Sequence, residues 1–166
     1  MSETKFTSTA IVGSGSFGTA MAKLLAPKLE SILLIGRDRE TAEAINREHK
    51  HPHYLSDIPL GENTRASCDL NDALAQPLVI FAVPTSATRE TARKLAAAGL
   101  PEHAILLSCA KGIEKHTGDR MSQILREVFP VNPIAVLSGP NHAEERSEEH
   151  TSNSSHITRP RMPSSA

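Results

Sequence analysis

The sequence predicts an α/β fold: a doubly wound, mostly parallel sheet of about six strands with helices on both faces. Short β-prone apolar runs alternate with segments of helical periodicity through residues 1–145. Strands separated in this way cannot close as tight hairpins, so they pair in parallel through helical crossovers. The palette agrees. Apolar residues make up 39% of the 166-residue chain, aromatic residues only 3%, and there is no Trp. A core must therefore come from Ala, Leu, Ile and Val, which suit parallel strands covered on both faces. The length allows one compact domain.

The elements follow in order. Ser8 to Val12, "STAIV", is a first strand that runs into glycine-rich sequence. Phe17, Ala20, Met21, Leu24 and Leu25 recur at i, i+3, i+4, i+7 and i+8, which predicts one apolar stripe on a helix. Ser31 to Ile35 is a second buried strand, and Arg39 to Glu48 a surface helix with Ala42 and Ile45 turned inward. His49 to Asn63 carries Pro52, Pro59 and Gly61 without a sustained period and is expected to be a loop. A short strand near "RASC" and a small helix near Leu70 to Leu74 lead to the longest apolar run, Leu78 to Val83, which Pro84 ends. Ser86 offers a hydroxyl start for a helix to Ala98. A strand at Ala104 to Ser108, a helix around Arg120 to Phe129 and a strand at Ile134 to Ser138 complete the alternation.

Charge and composition exclude several functions. A formal net charge of −1 gives no general attraction to nucleic acid or to a membrane surface. No apolar run reaches the roughly 18–20 residues that span a bilayer, and the N-terminus lacks the pattern of a secretion signal, so a cytoplasmic location is expected. Cys68 and Cys109 match no metal or redox spacing and are expected to be reduced, buried thiols. His49, His51 and His53 alternate, but Pro52 interrupts them and no carboxylate or thiol is spaced to complete a metal site.

The chemistry concentrates in "AIVGSGSFGTA". Gly13, Gly15 and Gly18 form a G-x-G-x-x-G turn directly after a strand and directly before a helix, the Rossmann-like context for a dinucleotide. Gly13 permits the tight turn, Gly15 lets backbone approach a pyrophosphate, and Gly18 lets helix and strand pack closely. The amides of Ser16 and Phe17 begin the helix and would point at the anion. Outside that context three such glycines mark only a turn. The second strand ends in "IGRD", where Arg37 suits the extra phosphate of NADPH. Asp38 beside it would instead favour NADH if it faced the ribose, and a solvated Arg37 is the remaining reading.

Five segments in order, "GSGSFGTAMA", "GRDRETAEAIN", "YLSDIPL", "VIFAVPT", and the pair "AKGIE" with "VLSGPNHAEE", resemble the N-terminal half of bacterial NAD(P)-dependent glycerol-3-phosphate dehydrogenase. The resemblance covers Thr9 to Glu145. It implies that Ser16, Phe17, Arg37, Tyr54 and Ala143 contact an NADPH or NADH cofactor. It further implies that Lys111 touches both cofactor and substrate, and that Gly139 and Asn141 contact a small phosphorylated substrate. A surface lysine is the alternative for Lys111, and many relatives carry Ser or Thr where Asn141 stands. His142 acquires no proton-carrying duty.

The implied reaction is interconversion of sn-glycerol 3-phosphate and dihydroxyacetone phosphate, for glycerophospholipid synthesis. No catalytic residue is expected in this chain, because the family's general-base lysine lies in a helical C-terminal domain that this sequence does not contain. Neither nucleic acid nor membrane insertion is expected, and this half leaves open whether the full-length protein is a homo-oligomer. Residues 1–145 are thus expected to be the NAD(P)-binding domain. Residues 146–166 carry almost nothing apolar and are expected to be a disordered tail. "RSEEHTS" and "RMPSSA" within it look like translations of a common sequencing adapter, so the tail is expected to be non-native. Two other readings stay open: a freestanding, non-catalytic dinucleotide-binding module, and the cofactor domain of another two-domain reductase.

Overall fold

A computed structural model of the chain describes residues 6–139. In order they form β1 (Ser8–Val12), α1 (Ser16–Leu25), β2 (Ser31–Ile35), α2 (Arg39–Glu48), β3 (Thr64–Ser67), β4 (Leu78–Phe81), α3 (Thr85–Ala97), β5 (Ile105–Ser108), α4 (Met121–Val128) and β6 (Ile134–Val136). Single 3₁₀ segments at Ala26–Lys28 and Leu70–Ala75 punctuate the crossovers. The six strands lie in the order β3-β2-β1-β4-β5-β6, and every pairing is parallel. Chain order reverses between β1 and β4, the place where ligands of doubly wound folds gather.

Alternation along each strand divides the core into two layers. Ala10, Val12, Val79, Phe81 and Leu106 pack with Ala92 and Leu95 of α3 and Leu125 of α4. Ile11, Ile32, Leu34 and Ile80 pack on the other face with Met21 and Ala22 of α1 and Ile45 of α2. All of these are essentially sealed except Val12 and Met21, which show 4% and 8% of their surface. Each fully buried Leu, Ile or Phe contributes about 1.5–3 kcal/mol, which lets a core this poor in aromatics hold the sheet. The edge strand β3 has its own stopper: Asn46 of α2 donates to the Ala66 carbonyl at 2.9 Å and accepts from the Ala66 amide at 2.8 Å. That pair satisfies edge groups which would otherwise invite another strand.

Three expectations need correction. The α1 stripe is rotated: Gly18, Met21 and Ala22 are buried, whereas Leu24 is 49% exposed. A Cβ on Gly18 would fall 1.8 Å from the Gly13 carbonyl oxygen, so the helix is pressed closest along the Gly18 line and that line sets its inner face. The third helix begins at Thr85, not Ser86, with Pro84 as its N-cap and no side-chain cap. Proline's fixed φ, here −56°, sets up the helix start, and Thr88 Oγ1 donates to the Pro84 carbonyl. Finally, Cys68 is exposed just past the β3 edge; only Cys109 is buried, and burial pushes its thiol up to about 11.

Candidate functional site

Among the described residues, the glycine turn, Lys111 and Gly139 lie at one end of the sheet, where β1, β4, β5 and β6 all finish. Backbone bonds carry the ladder slightly past the strands there: Gly13 donates to the Ile35 carbonyl (2.8 Å), Ala82 to Val12 (2.8 Å), Cys109 to Phe81 (3.0 Å) and Leu137 to Ser108 (2.9 Å). The turns that follow therefore start from a common rim.

The glycine turn needs its glycines for three different reasons. Gly13 has φ of +117°, a region costly to other residues, and a Cβ there would meet the Ala82 carbonyl oxygen at 2.5 Å. Gly18 is excluded from bearing a side chain by the Gly13 carbonyl. Gly15 alone faces open space, with nothing within 4 Å of a built Cβ. It is also the N-cap of α1, and no side chain caps that end and no acid sits in the first turn. The Ser16 and Phe17 amides are thus presented toward a cradle that a Cβ would fill, and the helix dipole favours an anion there. Helix α2, at the same end of the sheet, is different. Asp38 caps it by accepting from the Thr41 amide (3.0 Å) and from Thr41 Oγ1, and those two hydrogen bonds hold its carboxyl below the usual range. One helix end is closed by a carboxylate; the other leaves its backbone amides without a side-chain cap.

That cap also bears on Arg37. The Asp38 carboxylate is spent on Thr41, whereas Arg37 is exposed and, among the described residues, paired with no acid. Tyr54 stands on the 49–60 loop, 45% exposed, its ring 5.0 Å from that of His51.

The second group lies beyond β5 and β6. Lys111 Nζ donates to the carbonyl of Gly139, so two residues 28 apart are joined across the rim. They line one pocket of about 310 Å³ with Ser108, Gly112, Arg120 and Ser138. The lysine's loop is held from outside. Arg89 of α3 grips Glu114 through two parallel bonds (Nε–Oε1 2.9 Å, Nη2–Oε2 2.9 Å) and Glu127 of α4 through Nη1 (2.7 Å). Arg89, then Thr117 (2.7 Å), lower the Glu114 carboxyl to about 2, and the same acids raise Arg89. The larger concavity, about 440 Å³ against α3 around Arg89 and Arg93, lies away from the glycine turn. Asn141 and Ala143, like His142, fall outside the described residues.

Sequence reading missed four residues that shape this site. Gly36 leaves room for Ser14, whose Oγ would lie 2.3 Å from a Cβ there. The Arg89–Glu114 pair carries no spacing signal, its partners being 25 residues apart. His51, set aside above as a loop histidine, is 2% exposed and bonds to the Ser14 carbonyl.

Comparison with known proteins identifies the frame. The model of the NAD-dependent glycerol-3-phosphate dehydrogenase N-terminus matches residues 8–159. The chain belongs to that family. Among curated members, the glycerol-3-phosphate dehydrogenase (NAD(P)+) of Myxococcus xanthus is 45% identical over 139 residues, covering 81% of this chain and 41% of that protein. Its counterpart from Corynebacterium aurimucosum is 43% identical over 143 residues, covering 84% and 43%. The solved glycerol-3-phosphate dehydrogenase of Coxiella burnetii superposes with a TM-score of 0.76 at 27% identity, covering 84% of this chain and 43% of that one. The chain thus spans about two fifths of the length of the dehydrogenases it matches. The family match also runs past Glu145, the boundary expected from sequence.

Proposed function

We propose that this chain is the cofactor-binding part of a cytoplasmic oxidoreductase that interconverts sn-glycerol 3-phosphate and dihydroxyacetone phosphate with NADPH or NADH, toward glycerophospholipid synthesis. The observation that carries the reading is the uncapped α1 N-terminus behind Gly15, on the same rim as the Lys111–Gly139 pair.

In this proposal Gly13, Gly15 and Gly18 shape the turn, and the Ser16 and Phe17 amides hold the pyrophosphate. Arg37 takes the 2′-phosphate of NADPH and Tyr54 flanks the cofactor from the covering loop. An ammonium has three donors, so Lys111 can keep its bond to Gly139 and still offer two to cofactor and substrate phosphate. Its charge offsets that of the substrate. Gly139 and Asn141 orient the substrate, and Ala143 lines the cofactor. A bound nicotinamide supplies the hydride chemistry; the residues of this chain bind and orient, and none of them takes the alcohol proton. The family resemblance implies a lysine outside the matched segments for that proton. Residues 1–145 are proposed as the nucleotide-binding domain and 146–166 as a non-native extension. Reading the source DNA past the codon for Glu145 tests that boundary.

Titration calorimetry of the 166-residue chain should register heat with NADPH, and the same sample should not oxidise NADPH in the presence of dihydroxyacetone phosphate. A chain that binds neither coenzyme overturns the reading, and steady-state turnover by this chain alone overturns the division of labour. Arg37→Gln should weaken NADPH by about 10- to 100-fold, the equivalent of one lost charged hydrogen bond, with less effect on NADH. Equal losses for both would place Arg37 away from the 2′-phosphate.

A further inference from the structure

We propose that His51 is a positioning residue for the cofactor turn: as the neutral Nε2–H tautomer it ties the 49–60 loop to the Ser14 carbonyl, and the turn keeps a pyrophosphate-ready shape only while that tie holds. The proposal rests on the nicotinamide-cofactor reading above.

The hydrogen bonds specify the tautomer. Nδ1 lies 3.1 Å from the His53 amide and 3.2 Å from the Tyr54 amide, and both amides can only donate, so Nδ1 carries no hydrogen. Nε2 lies 2.9 Å from the Ser14 carbonyl oxygen, which can only accept, so Nε2 must carry one. One neutral ring satisfies all three partners. An imidazolium would turn an N–H on Nδ1 toward two N–H donors and break the loop's own fold.

Ser14 is the residue between Gly13 and Gly15, and it is gripped from both sides. Its hydroxyl sits in the space left by Gly36 at the end of β2, and its carbonyl is held by His51, 37 residues away. The rest of the loop is fastened elsewhere: Lys23 of α1 donates to the Pro59 carbonyl (2.6 Å), and the Leu60 amide to the His49 carbonyl (2.7 Å). Loss of the His51 tie therefore frees the side of the loop that faces the glycine turn while its far end stays attached.

Charge around the ring works in one direction. Burial pushes His51 below the ordinary histidine value of 6.5, the Ser14 bond opposes that, and charge on His53 adds to it. His53 and Tyr54 are the titratable rings in contact, at 6.1 and 5.0 Å. Residues 13–17 of the turn carry no titratable side chain, and Asp38 at the α2 cap lies within the influence of His53. No carboxylate bonds to the ring to favour the imidazolium among the described residues. Because the folded value is lowered, the tie is complete above about pH 6.5 and is lost as pH falls through the lowered value.

The test uses the 166-residue chain and NAD+, because the 2′-phosphate of NADP+ itself titrates near pH 6. Calorimetric affinity should be flat above pH 7 and fall by about ten-fold per pH unit below the His51 value, as for one linked proton. His51→Gln keeps a donor for Ser14 without a titrating ring, so it should bind at pH 8 within a few-fold of the parent and lose the acid limb. Long-range 15N–1H spectra of the parent should show the His51 ring as Nε2–H with a midpoint below 6.5, whether or not any variant folds. An affinity independent of pH, an acid limb retained in His51→Gln, or an Nδ1–H ring overturns the role of His51 alone. Absence of heat with NAD+ and with NADPH at pH 8, beside a normal His51 spectrum, overturns the cofactor reading instead.

Discussion

Gly15 and Gly18 are three residues apart and both must lack a side chain, yet for opposite reasons. Around Gly18 there is no room; around Gly15 there is open space, which the proposed cofactor would use. Substitution should separate the two. Gly18→Ala forces backbone apart and should cost about 1–3 kcal/mol or more, visible as a lower urea midpoint. Gly15 has φ −75°, which alanine adopts freely, so Gly15→Ala should leave the midpoint unchanged or slightly higher. It should nonetheless weaken NADPH by about ten-fold or more, the cost of one displaced charged hydrogen bond. If both alanines behave alike in the two assays, the cradle has been misplaced. The neighbouring pair Arg37 and Asp38 shows what a residue-level reading misses. Both are charged and either suits a ribose in principle. Only the capping of α2 by Asp38, with Thr41 three residues on, shows which of them is already engaged.

At the scale of elements, the parallel strands were the most legible part of the chain. "STAIV" and "SILLI" occupy the same residues expected of them, because an uninterrupted apolar run bounded by polar residues has few other places to go. The α1 stripe and the α3 start were less legible: a missing side chain at Gly18 and a ring at Pro84 moved them by one position or by part of a turn. The Arg89–Glu114 clamp was illegible, since it joins α3 to the loop after Lys111 through residues with no periodic relation. It carries its own prediction. A carboxylate whose value is lowered in the fold contributes above its unfolded value and loses that contribution as pH falls through the folded one, here about 2. Carboxyl 13C shifts should place the Glu114 midpoint near 2 in the parent and nearer the usual range in Arg89→Met. The same variant should speed hydrogen exchange at the Gly118 amide, which bonds the Glu114 carbonyl at 2.9 Å. Unchanged exchange would mean that the clamp does not order the lysine's loop.

Across the described residues, the strand order places the glycine turn and the lysine loop on one rim, with the reversal between β1 and β4 beside them. The chain spans about two fifths of the length of the relatives it matches, and the role proposed for this stretch is binding. Local pattern was enough for the alternation of strands and helices and for the glycine turn, because each depends on residues close together in the chain or on a motif of defined spacing. The inward turn of His51, the engagement of Asp38, the Arg89 clamp and the joining of Lys111 to Gly139 were settled by packing. Those contacts pair side chains with groups that come together only after the sheet has closed, so no run of neighbouring residues records them. Asp38 is the exception, since its cap is local, but two rules competed for one carboxylate and the folded helix chose between them.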